Sequence, residues 1–247
     1  MVTGANGFLP AYMVETLLYL NETHAAGIRV LALVRDTARA AARFAAYAGR
    51  DDLRFQTQDL GLPLPPALSA DVIIHAASQA SPKFYDPDPV GTLKPNVIGT
   101  ANLLDLARDC SAGHFLFFSS GEVYGQPAEP AGLIGETARG YVDPTAVRSC
   151  YAESKRMAET MCVAWHHQFG VPVRIVRPFH TYGPGMRLDD GRVFADFVAD
   201  IVQGRDILLQ SDGSALRAFC YLADATVGFF TVLLKGKVAE AYNIGNS

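Results

Sequence analysis

A regular alternation of short apolar runs with longer helical patterns constrains this chain more than any other feature of its sequence. The runs at 28–34, 53–56, 72–76, 114–119 and 173–176 are rich in β-branched or aromatic residues, as strands buried on both faces require. Between them, 8–20, 37–48, 90–110 and 151–169 carry apolar residues at helical spacing. Repeated strand–helix–strand units predict an α/β fold built on a Rossmann-type doubly wound parallel sheet. Ligands are then expected at the carboxyl ends of its strands. Pro95 falls inside the third helix and should kink it.

After Arg177 the pattern loosens into loops marked by Pro178, Gly183-Pro184-Gly185 and Asp189-Asp190-Gly191. This divides the chain into a sheet domain over 1–177 and a small C-terminal lobe over 178–247, interleaved with the last sheet elements. Only Met1-Val2-Thr3 precedes the first glycine turn, and a new strand begins near Tyr242, so trimming at both ends is expected. A net charge of −4 gives no broad attraction for nucleic acid or an anionic membrane. No apolar run is long enough to span a bilayer, and nothing resembles a signal peptide. The four cysteines, without a C-x-x-C pair, read as reduced thiols of a cytoplasmic protein, and no metal is expected.

Thr3-Gly4-Ala5-Asn6-Gly7-Phe8-Leu9-Pro10 joins a strand end to a helix start, where glycines let backbone N–H groups approach a pyrophosphate. Pro10 replaces the usual third glycine, a change tolerable in a first helical turn. After the second strand, Arg35-Asp36 offers both an arginine suited to the 2′-phosphate of NADP and a carboxylate suited to the ribose of NAD. Asp59-Leu60 can reach an adenine, and Ala76-Ala77 leaves room for a diphosphate. His75 reads as a packed histidine at a strand end.

Tyr151 and Lys155 stand four apart on one helix face. There the lysine can lower the phenol's pKa and hydrogen-bond a nicotinamide ribose. Their helix follows a strand ending in Ser119-Ser120, whose hydroxyl can orient the same substrate oxygen.

Taken in order, several motifs resemble the extended short-chain dehydrogenases/reductases of the NAD-dependent epimerase/dehydratase family, which act on nucleotide sugars. They are the glycine turn, Asp59-Leu60, His75-Ala76-Ala77, Asn96-Val97-Ile98-Gly99-Thr100, Ser119-Ser120, the Tyr151/Lys155 pair and Tyr182-Gly183-Pro184. The resemblance runs from Val2 to Asn246. Within the family the likeness is greatest to the UDP-glucuronate decarboxylases, on Ala80-Ser81-Pro82, Gly121-Glu122-Val123-Tyr124-Gly125, Arg148-Ser149-Cys150-Tyr151, the stretch 156–162 and Asp190-Gly191-Arg192-Val193.

The resemblance implies bound NAD(P), with NAD favoured, held also by Leu9, Ser78, Asn96, Ser119 and Pro178. It implies a nucleotide-sugar substrate touching Ser81, His180, Arg192, Val193 and Arg217. Tyr151 takes the proton of the carbon 4 hydroxyl, Ser120 shares that oxygen, and Glu122 assists the ring chemistry. A homodimer pairing 90–110 and 151–169 across a four-helix seam is also implied. Two positions depart from the pattern: Gly121 stands where the decarboxylases carry serine, and His180 where asparagine is usual. The outcome therefore stays open between decarboxylation and 4-epimerisation. A simple NADP-dependent reductase and a non-catalytic dinucleotide sensor are the other readings, and Glu122 could be a solvated or capping carboxylate.

Overall fold

The computed structural model describes residues 1–126, 132–209, 212–213 and 217–246. In chain order the elements are β1 (Val2–Thr3), α1 (Phe8–His24), β2 (Val30–Val34), α2 (Thr37–Arg43), β3 (Leu53–Thr57), β4 (Val72–His75), α3 (Pro89–Asp109) and β5 (His114–Phe118). They continue with α4 (Cys150–Phe169), β6 (Val173–Pro178), β7 (His180–Tyr182), α5 (Val193–Val202), β8 (Phe219–Tyr221), α6 (Leu222–Lys235) and β9 (Ala241–Ile244). Seven strands form one parallel sheet in the order β3-β2-β1-β4-β5-β6-β9. The order reverses between β1 and β4, which places the crevice of a doubly wound sheet there. The short parallel strands β7 and β8 pair separately from this sheet.

The pleat of β5 shows how the sequence fills both sides of the sheet. Leu116 and Phe118 enter the core under α1 and α6 with Met13, Leu18 and Phe229, whereas Phe115 and Phe117 enter the core under α3 and α4 with Leu103, Leu104 and Cys162. An apolar run that alternates between two cores must be a central strand.

Local differences from the sequence expectation have local causes. The second helix ends at Arg43, where 37–48 was expected, because Phe44 turns into the core and packs its ring 5.7 Å from that of Phe55. Pro95 lies inside α3 without ending it. Pro10 is buried in the first turn of α1, where its missing N–H costs no hydrogen bond. Among the described residues, no helix is long and apolar enough to cross a membrane.

Candidate active site

The glycine turn sits at the switch point. Gly4 has φ +63° and donates its N–H to the Leu33 carbonyl at 2.9 Å, tying the turn to β2. A Cβ on Gly4 would lie 2.7 Å from the Ala77 Cα, so both the dihedral and the contact with the end of β4 require glycine. Gly7 donates to the Gly4 carbonyl at 2.7 Å and caps α1, which Phe8 and Leu9 open with Asn6 half-buried beside them.

Beneath the turn runs a buried hydrogen-bond chain. The Thr3 hydroxyl accepts from the N–H groups of Ala76 (3.2 Å) and Ala77 (3.1 Å), which leaves its single hydrogen for His75 Nδ1 at 2.9 Å. The His75 proton is then on Nε2, which faces the Thr100 hydroxyl at 3.1 Å, and Thr100 donates in turn to the Asn96 carbonyl at 2.5 Å. Burial holds the imidazole down to about 3, helped by the Lys155 charge and opposed by the Pro95 carbonyl.

This depression has a definite sign. Between the ordinary value of 6.5 and about 3, the unfolded chain binds a proton that the folded chain refuses, so stability is complete above the upper limit and falls with pH through that window. Urea unfolding at several pH values should show an added slope of up to about 1.4 kcal/mol per pH unit in this range. A His75→Gln variant should lack that slope; an equally steep loss in the variant would refute the assignment.

The sequence-assigned cofactor residues line the same sheet edge, with differences in what their side chains can offer. Arg35 is exposed just past β2, while Asp36 Oδ1 accepts from the Arg39 N–H and so caps α2. Asp59 Oδ1 accepts from the Gly61 N–H at 2.9 Å. The Leu60 side chain is buried in the core against α3, and its carbonyl accepts from Asn102 at 2.9 Å. Asn96 is fully buried and donates to the Ser154 hydroxyl at 3.0 Å, which itself donates to the Tyr151 carbonyl at 2.9 Å. The Asn96 Oδ1, Ser78 Oγ and Ser119 Oγ atoms are buried without a protein partner. Orphaned acceptors and hydroxyls beside a cradle that excludes a Cβ fit a polar, diphosphate-bearing ligand.

Tyr151 and Lys155 lie one turn apart in α4, both buried. Burial pushes the phenol up to about 12, while a hydrogen bond from Ser120 and the charges of Arg192 and Arg148 oppose the rise. The Lys155 ammonium donates to the Phe118 carbonyl at 2.7 Å and stands 5.8 Å from the Tyr151 ring centroid; burial lowers it to about 7. The groups that most oppose the rise are thus Ser120 and two arginines. Glu122 lies in a 3-10 turn, Gly121–Tyr124, that Ser120 caps by accepting from the Glu122 N–H at 3.2 Å. The Glu122 carboxylate is gripped by Arg148 at 3.0 and 3.2 Å.

The segment before α5 meets the loop after β4. The Ser81 hydroxyl donates to the Asp190 carbonyl, and Arg192 pairs with Asp190 at 2.9 Å while reaching the Ala80 carbonyl at 3.4 Å. Val193 is exposed at the start of α5, and Pro178 ends β6. His180 opens β7 beside Arg217 on the approach to β8. Burial and then the charges of Arg217 and Arg192 hold its pKa down, against the charge of Glu122, and so favour the neutral imidazole. Thr3, Thr100, Ser154, Tyr85 and Arg148 received no role from sequence; Thr3, Thr100 and Arg148 fall within motif stretches, yet only convergence in the fold gives them a task.

A family model described as the NAD dependent epimerase/dehydratase family matches residues 1–245. The chain belongs to this family. A UDP-glucuronic acid decarboxylase of Arabidopsis thaliana is 38% identical over 246 residues, all of this chain and 68% of the relative. Among solved structures, dTDP-glucose 4,6-dehydratase from Streptomyces venezuelae with NAD bound superposes with a TM-score of 0.83 at 27% identity, over 98% of this chain and 74% of that one. UDP-glucuronic acid 4-epimerase from Bacillus cereus in complex with NAD gives 0.82 at 25% identity, over 100% and 76%. The family is NAD-dependent, and the Gly4 cradle with its orphaned hydroxyls suits that cofactor.

Proposed function

We propose that this enzyme oxidises carbon 4 of a nucleotide-linked sugar transiently and that its net reaction is decarboxylation of UDP-glucuronate. The observation that carries the reading is Glu122 at the mouth of the Tyr151 and Ser120 site, near enough for its charge to act on the phenol, in a chain similar throughout its length to decarboxylases. NAD, when bound in the Gly4 crevice, supplies the reversible hydride acceptor for carbon 4. Tyr151, ionised, takes the carbon 4 hydroxyl proton, and Ser120 hydrogen-bonds the same oxygen. The ketone stands β to the carboxylate, so the carbon–carbon bond breaks to carbon dioxide and an enolate, which takes a proton from solvent at carbon 5 to give the 4-keto pentose. Glu122 is placed to act on the ring during that step, and Tyr151 returns its proton when the ketone is reduced. Residues 178–247 supply the substrate wall through His180, Arg192, Val193 and Arg217, with Ser81 facing them.

Gly121 supports a second reading, 4-epimerisation, which needs no proton donor there. A Cβ on Gly121 would stand 3.2 Å from the Phe179 ring, so a serine there would require the ring to give way by a few tenths of an ångström. Incubation with UDP-glucuronate decides between them by mass spectrometry. Carbon dioxide and a UDP-pentose are expected; UDP-galacturonate would install the epimerase, and an unchanged panel of nucleotide sugars would end both readings.

A homodimer is part of the proposal, because α3 and α4 leave Val90, Leu93, Ile98, Met157 and Val163 exposed on neighbouring helices. Light scattering that shows only monomer at micromolar concentration would overturn it. Cytoplasmic residence fits four free cysteines; a disulfide among them in protein recovered from cells would count against it.

A further inference from the structure

Arg148 belongs to no motif with an assigned task, yet it touches both side chains that flank Tyr151. Its Nη1 and Nη2 donate to the two oxygens of Glu122 at 3.0 and 3.2 Å. Its guanidinium also lies 4.6 Å from the centroid of the Tyr85 ring. Tyr85 is buried, donates its hydroxyl to the Ala80 carbonyl at 3.0 Å, and stacks on Tyr151 with centroids 4.9 Å apart and planes 14° apart. Arginine, Tyr85 and Tyr151 thus form a contiguous stack, with Glu122 clipped to its outer layer.

We propose that Arg148 is the positioning residue for Glu122, holding its carboxylate in one orientation through a two-point grip while the stack on Tyr85 fixes the guanidinium itself. The chemistry favours arginine specifically. A planar fork can satisfy both carboxylate oxygens and lie flat on an aromatic ring at once, whereas an ammonium can do neither well. Both members of the pair are partly exposed, so the pair contributes little to folding, and its value lies in orientation. Arg148 acts through Glu122 without itself reacting, and its charge is only one of several on the Tyr151 phenol, so its loss should slow the step that follows far more than the oxidation that Tyr151 performs.

The inference rests on the decarboxylase reading, and the test separates the two. Arg148→Ala should lower kcat for carbon dioxide release on the order of 10²-fold, as for a misplaced reacting group, with KM little changed. Quenched reactions should show the 4-keto sugar accumulating, a signature that a general loss of folding would not produce. Arg148→Lys should restore little, and added guanidinium should restore part of the rate to Arg148→Ala. In the background of Glu122→Gln, Arg148→Ala should cost almost nothing further. Full additivity of the two changes, or rescue by lysine, would overturn the assignment of Arg148. Wild-type protein that forms the keto sugar but releases no carbon dioxide would instead remove the decarboxylase reading, and with it the step that Arg148 is proposed to serve.

Discussion

Tyr151→Phe is expected to reduce turnover by ~10²–10⁴-fold while the protein still carries its NAD. The substitution removes one oxygen and keeps the ring, so the stack on Tyr85 persists and little packing volume is lost. The oxygen removed is the one whose hydrogen bond with Ser120 and nearby Arg192 and Arg148 charges oppose the effect of burial. Lys155, one turn on, is already committed to the Phe118 carbonyl. Product formation by mass spectrometry, chromatography of the extracted cofactor and a thermal melt together check the result. A variant within about tenfold of the wild type would take the proton-transfer role away from Tyr151.

Removing the Glu159 carboxylate should produce the largest loss of stability, about 3–5 kcal/mol in urea unfolding of Glu159→Ala. Arg177 meets Glu159 through two bonds, Nε to Oε1 at 2.8 Å and Nη2 to Oε2 at 2.6 Å, with both side chains almost wholly buried. Its Nη1 donates to the Tyr124 hydroxyl and to the Glu136 carbonyl, each at 2.8 Å, and Tyr124 donates to Asn243 Oδ1 at 2.5 Å. Burial penalises the guanidinium charge, and Glu159 more than offsets that penalty, leaving the pKa raised. Truncating the acid strands a buried cation, whereas replacing both partners by apolar residues should recover much of the loss. A cost below about 1 kcal/mol for Glu159→Ala would show that water reaches the arginine.

The fold was legible because its determinants are periodic and local. The β5 run and the apolar spacing of α3 and α4 specify burial directly, and Gly4 announces a positive φ that its neighbours confirm. Of the site, the Tyr151/Lys155 pair could be read because one helix turn fixes its geometry. What escaped is what depends on distant segments meeting. The Leu60 side chain packs against α3, and His75 is one link in a chain joining β1, β4 and α3. Arg148 gained meaning only when Glu122, 26 residues earlier, folded back to it. Phenol and ammonium values were equally beyond the sequence, since burial dominates both.

The chain of Thr3, His75, Thr100 and Asn96 begins at amide N–H groups and ends at a peptide carbonyl. Amides cannot exchange those roles, so every hydrogen along it points one way and none can hop in return. A wire of hydroxyls and an imidazole would ordinarily conduct protons; this one is an insulator. It leaves the interior where β1, β4 and α3 meet without a path for protons, so the site above can be packed with polar groups and still not leak charge through the sheet.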